Sequence, residues 1–110
     1  LRKTVGSAAF SIQVKLAELN GIEMKLGSVV YSKSGRDSGS YYAVVEIVSE
    51  EFVKIADGER RKLIKPKLKR VKHLKDTGSV LERIGEKLAA AAVVYDAEIR
   101  SALRAFNENL

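Results

Sequence analysis

Apolar residues follow three successive spacings along the chain. In residues 1–23, Ile12, Leu16 and Leu19 recur at helical spacing while Phe10, Ile12, Val14 and Leu16 alternate as a strand would, and Asn20-Gly21 stops either pattern. Met24, the only methionine, stands directly before the region where the pattern becomes regular. The organised domain is therefore expected to begin there, with residues 1–23 an N-terminal appendage of uncertain structure. From Leu26 the pattern is that of short strands: Leu26–Ser32, then a Gly/Ser-rich break at Ser34–Ser40, then the β-branched and aromatic run Tyr41–Val48. Ser49–Glu51 predicts a polar turn and Phe52–Ala56 a third strand. Asp57-Gly58, a favoured hairpin dipeptide, predicts a return through Arg60–Ile64. Pro66 confines its position to an edge or bulge, and Leu68–Leu74 reads as a last extended or single-turn element. Five short strands at this spacing predict a small curled β-barrel.

The tail, residues 78–110, changes period. Ser79 with Glu82 has the capping-box spacing, and Val80, Leu81, Ile84 and Leu88 line one helical stripe that Gly85 weakens slightly. Asp96 is a second cap candidate, before a stripe of Ile99, Ala102, Leu103 and Phe106 in a helix ending near Asn107. The expected class is thus α+β, mainly β with two C-terminal helices. In the second strand Tyr41, Ala43, Val45 and Ile47 fall on one face and Tyr42, Val44 and Val48 on the other, so both faces need cover. One face is expected to fill the barrel and the tail helices to pack over part of the other.

Composition removes several functional classes. The 110 residues hold one small domain, too small for a deep cleft between two lobes. The absence of cysteine excludes disulfides, thiolate zinc sites and cysteine nucleophiles, and a single histidine excludes imidazole-rich metal sites. No cofactor is expected. The longest apolar run, Leu88–Tyr95, is far shorter than the roughly 18 to 20 residues that cross a bilayer, and Ser11, Gln13 and Lys15 interrupt the apolar core a secretory signal needs. A cytoplasmic location without membrane attachment is the expectation.

Charge is distributed unevenly. Between Gly58 and Lys75, Arg60, Arg61, Lys62, Lys65, Lys67, Lys69, Arg70, Lys72 and Lys75 are opposed only by Glu59, a net +8 in a chain whose total is +6. One or two lysines would protect a sheet edge from mispairing; nine concentrate positive potential where a polyanion can lie. Lys65, Lys67 and Lys69 alternate with Ile64, Pro66 and Leu68, so an extended chain would point three ammonium groups outward at roughly 6.5 to 7 Å intervals. That is close to the spacing of successive phosphates.

The loop Gly35-Arg36-Asp37-Ser38-Gly39 lacks the following Lys-Ser or Lys-Thr of a P-loop and opens into a strand. Its glycines permit positive φ, and Lys33 and Arg36 can reach a phosphate from its tip. His73 has no nucleophile motif to serve, and the acids Glu50, Glu51 and Asp57 are dispersed over turns, so no enzyme is expected. Of Tyr31, Tyr41, Tyr42 and Phe52 most are needed for the core, and whichever of Tyr41 and Tyr42 faces outward is the best candidate to stack on a base.

The order of these pieces resembles the KOW domain. Leu26-Gly27-Ser28-Val29-Val30, the Gly35–Gly39 loop, Ala43-Val44-Val45-Glu46-Ile47-Val48, Phe52-Val53 and Lys72-His73-Leu74 occur in that family's order, over about half the chain. The likeness is to its ribosomal branch: the fourteen-e, six-e and twenty-seven-e proteins and small bacterial RNA-binding relatives, whose C-terminal helix Asp96-Ala97-Glu98-Ile99-Arg100 also resembles. The resemblance implies an SH3-like barrel over residues 24–77 that binds RNA, often ribosomal RNA, without catalysis. It places Lys33, Arg36, Gly39, Lys65, Lys67, Lys69, Arg70, Lys72 and His73 on the RNA face, beside Arg60, Arg61, Lys62 and Lys75 of the basic run. The alternative is a protein-interaction module of the transcription or translation machinery. NusG-like KOW barrels contact polymerase or ribosomal proteins, and a tail carrying Ile99, Leu103 and Phe106 could dock on a partner.

Overall fold

The computed structural model describes residues 24–108; the expectations for residues 1–23 lie outside them. Five strands form one antiparallel sheet: β1 (Ser28–Ser32), β2 (Tyr41–Ile47), β3 (Phe52–Ala56), β4 (Lys67–Arg70) and β5 (Leu74–Val80), in the order β4-β3-β2-β1-β5. A 3-10 turn, Val71–His73, links β4 to β5, and two helices follow, α1 (Glu82–Ala89) and α2 (Asp96–Asn107). The class is α+β, as the change of period predicts.

The fourth and fifth strands are not the predicted ones. Arg60–Ile64 forms no strand, because the Asp57 carboxylate accepts the N–H groups of Glu59 and Arg61, both at 2.9 Å, while the Arg61 carbonyl accepts those of Asp57 and Gly58. These local bonds turn the chain before a ladder can start. Pairing resumes after Pro66, where Phe52–Ile55 meets Lys67–Arg70. The predicted Leu68–Leu74 element splits at the 3-10 turn, and β5 then runs on to Val80, past the expected boundary at residue 77. Its polar sequence conceals a strand held by backbone pairing to β1 and by the Thr77 hydroxyl donating to the Val29 carbonyl at 2.7 Å.

Two apolar clusters lie on opposite faces of the sheet. The first joins Met24, Val30, Tyr42, Val44, Val53, Ile55, Val71 and Leu74. Val53 and Ile55 of β3 share this cluster with Leu74 of β5 although the two strands lie on opposite sides of the β2–β1 pair, which requires the sheet to curl. The second packs Val29 and Ala43 against Ile84, Ile99 and Leu103, so the helices cover the outer face as the two-sided pattern of β2 requires. Ile47 departs from its expected face. A bulge between Val44 and Glu46 inverts the alternation and delivers Ile47 to the first cluster, opposite Val53. Val48, expected to share the face of Tyr42 and Val44, is 42% exposed.

The helices are seated by features only partly visible in the sequence. Ser79 lies in β5 and caps nothing; α1 starts at Glu82, after the Leu81 N–H has bonded the Gly27 carbonyl. Gly85 is a packing residue, since a Cβ there would stand 2.5 Å from the Leu26 carbonyl oxygen. Asp96 is the first residue of α2, and its carboxylate accepts the Leu63 N–H at 2.8 Å. Ile99 and Leu103 are fully buried and the Phe106 ring lies 5.6 Å from that of Tyr41, so the stripe the docking alternative invoked is covered within the chain.

Glu98 ties the two helices together, accepting the Lys87 ammonium at 2.6 Å and the Tyr95 N–H at 2.9 Å. Those bonds, the lysine's first, hold its carboxyl below the usual carboxylate range. A carboxyl whose folded pKa is depressed contributes stability above its unfolded pKa and loses it as pH falls through the folded value. Protection of the Tyr95 and Glu98 amides, their exchange measured against the intrinsic rate at each pH, is expected to fall on acidification below the ordinary carboxylate range. Glu98→Gln should remove that acid dependence; an unchanged profile in the variant would refute the assignment.

Candidate nucleic-acid interface

The β1–β2 loop, residues 33–40, is held from three sides. Gly35 and Gly39 take the positive φ their positions predict, +85° and +90°. The Gly39 N–H closes the loop on the Ser32 carbonyl at 3.0 Å, and the Lys33 N–H donates to the His73 carbonyl at 2.9 Å. Arg61 donates from Nε to Asp37 Oδ1 at 2.9 Å, and Asp37 is 4% exposed. Lys69 donates from Nζ to the Ser34 carbonyl at 2.6 Å.

This arrangement overturns part of the expected basic face. The β3–β4 register places Lys67 opposite Ile55 and Lys69 opposite Val53. Both lysines are therefore on the inner face, with Leu68 turned outward beside Lys54, the reverse of the predicted phase. An edge strand takes its phase from its ladder partner, and a lysine can occupy an inner position by laying its methylenes over apolar neighbours while its ammonium reaches a polar rim. Lys69 does so and is 7% exposed, whereas Leu68 is 48% and Ile64 92% exposed. Lys69 and Arg61 are thus loop supports rather than open RNA contacts, and the hydrogen bond to Asp37 strengthens the Arg61 guanidinium's hold on its proton.

Arg70 and Lys72 are exposed but have acidic neighbours. Arg70 lies 5.0 Å above the centre of the Phe52 ring and 3.9 Å from Glu51 Oε2. With Lys72, Val71, Glu50 and Glu51 it lines a hollow at the β2–β3 turn, and Lys72 directly precedes His73, whose carbonyl accepts the Lys33 N–H. Acidic residues dilute the positive potential there.

Lys33, Arg36, Arg60, Lys62, Lys65 and Lys75 remain exposed, and none of them enters an ion pair among the described residues. The Arg61–Asp37 bond joins the loop carrying Lys33 and Arg36 to the 57–66 loop carrying Arg60, Lys62 and Lys65. Lys75 sits opposite Tyr31, two residues before Lys33, and the half-buried His73 touches Lys33 through the backbone. Lys67 is half-buried, and Gly39 is exposed with nothing within 4 Å of a Cβ built on it. Six cations from three segments thus belong to one connected structure, with Gly39 and His73 beside them.

Neither Tyr41 nor Tyr42 offers an open stacking platform. Tyr42 is fully buried; its hydroxyl has no hydrogen-bond partner among the described residues, and burial first, then the fields of Asp37 and Asp57, pushes that hydroxyl's pKa up. Tyr41 faces out of the first core, but Phe106 covers its ring and Asn107 bonds its backbone N–H at 2.8 Å. Among the described residues no three His, Asp or Glu side chains gather as a metal site, and no helix is long and apolar enough to cross a membrane.

Lys69→Met keeps the aliphatic stem and deletes the charge-assisted bond, worth about 1.5 to 3 kcal/mol. The expected result is a folded protein with reduced stability in chemical denaturation and faster amide exchange at Ser38 and Gly39. Unchanged exchange would show that Lys69 does not hold the loop. No family model matches the chain, and no curated protein matches it either.

Proposed function

We propose that the chain is a non-enzymatic RNA-binding module of the KOW type, acting in the cytoplasm and contacting ribosomal RNA through its phosphates. The observation that carries this reading is the group of exposed cations, outside every ion pair among the described residues: Lys33, Arg36, Arg60, Lys62 and Lys65 on two loops fixed to each other by the Arg61–Asp37 bond, and Lys75 on the adjoining strand β5. Fixed cations bind a polyanion without first paying the entropy of ordering a loop. Such contacts set position and register while leaving base identity unread. The likeness of the 26–77 segment to ribosomal KOW proteins supports RNA as the polyanion.

The test is a salt titration with a structured RNA fragment. Engagement of about six phosphates predicts that log K falls with log salt at a slope of about −4 to −5. Weak binding at low salt, or a flat slope, favours the protein-interaction alternative.

A further inference from the structure

Ile64 is 92% exposed, the most exposed of the large apolar side chains described, and it is held rather than loose. The Lys65 N–H bonds the Lys62 carbonyl at 2.9 Å, closing a tight turn with Ile64 near its apex. On one side Leu63 packs against the second core and its N–H is fixed by Asp96. On the other, Pro66 fixes its own φ and leads straight into β4. Arg61, bonded to Asp37, anchors the base of the loop. The turn thus presents an isoleucine between two exposed lysines, Lys62 and Lys65, with no acid between Arg60 and Arg70.

A lone exposed isoleucine needs no explanation on a flat surface; one fixed at a cationic apex fits a particular ligand. Proteins that distort nucleic acids insert an aliphatic wedge against a base while flanking cations hold the phosphates on either side. We infer that the Lys62–Pro66 turn is such a wedge and that Ile64 packs on an unstacked base, so the preferred ligand is RNA with a bulge or internal loop. An uninterrupted A-form duplex has a narrow, deep major groove and no free base face, and offers Ile64 nothing. A lipid bilayer is a poor alternative occupant, because even a myristoyl chain binds membranes only marginally and one isoleucine buries far less. This inference rests on the RNA-binding reading and adds the RNA's local structure to it.

The experiment compares the full chain with Ile64→Ser on two hairpins that differ only in one bulged 2-aminopurine, reading affinity and the fluorescence of that base. Loss of one apolar burial predicts about tenfold weaker binding of the variant to the bulged hairpin, loss of the fluorescence change, and equal affinity of both proteins for the paired hairpin. Equal binding of the bulged hairpin by both proteins, or equal loss on both hairpins, would overturn the wedge while leaving RNA binding intact. Failure of the unmodified protein to bind either hairpin at low salt would instead overturn the RNA reading itself. Ile64-dependent binding to anionic vesicles with no preference between the hairpins would assign the turn to a membrane and also overturn the wedge.

Discussion

Replacing Lys33, Arg36, Lys62 and Lys65 together by glutamine is expected to lower RNA affinity by roughly 10²- to 10³-fold at ~0.1 M salt, since each lost phosphate contact forgoes about fivefold from counterion release. The slope of log K against log salt should become shallower by about 3 units. All four side chains are exposed and outside the ion pairs, so stability should change by no more than about 0.5 kcal/mol per site. A matched control is Arg70→Gln with Lys72→Gln. These residues share the basic run but lie beside Glu50 and Glu51, so their loss should weaken binding far less. If the control pair cost as much as the quadruple variant, the basic run would be acting as one undivided field, and the grouping around the two joined loops would be wrong.

Ile99→Ala is expected to destabilise the protein by about 2 to 5 kcal/mol. The lost side chain is fully buried, with Val29 and Ala43 of the sheet in the same cluster as Ile84 and Leu103 of the helices. A small domain has only about 5 to 15 kcal/mol in all. Because the cluster is shared, strands and helices should unfold in one transition, with fluorescence and circular dichroism changing together in urea. Separate transitions, with the sheet persisting after the helices melt, would mean that α2 is an appendage to an independently stable barrel.

The period of the apolar pattern made the first three strands and both helices legible, because each buries a face whose spacing is imposed by backbone geometry. β2 went further: an apolar strand on both sides demanded two cores, and two are present. What stayed hidden was set by pairing partners and not by local pattern. The phase of β4 is inherited from β3, so Lys67 and Lys69 turn inward although their sequence reads as an outward basic stripe. β5 owes its existence to β1, and its Lys-Asp-Thr-Gly-Ser stretch carries no strand signal of its own. The same blindness affected the site. Net charge marked the right region, but nothing in the composition separates Arg61 and Lys69, which brace the loop, from Lys62 and Lys65, which stand open. Asp37 was a detectable signal: an acid inside a glycine loop of a strongly basic domain needs a cationic partner, and Arg61 supplies it at 2.9 Å.

The placement of β1 has a consequence for biosynthesis. Its neighbours are β2 on one side and β5 on the other, and Val29 on its outer face meets α2 at the end of the described chain. A nascent polypeptide can zip the β1–β2–β3 meander as soon as Ala56 emerges. It must then wait for a strand and a helix translated later before the other edge and the outer face of β1 are covered. Until the helices follow, Val29 and Ala43 stand bare, and until β5 emerges so does the free edge of β1, so premature termination between His73 and Ile99 would release a sticky, half-lined product rather than a smaller working domain.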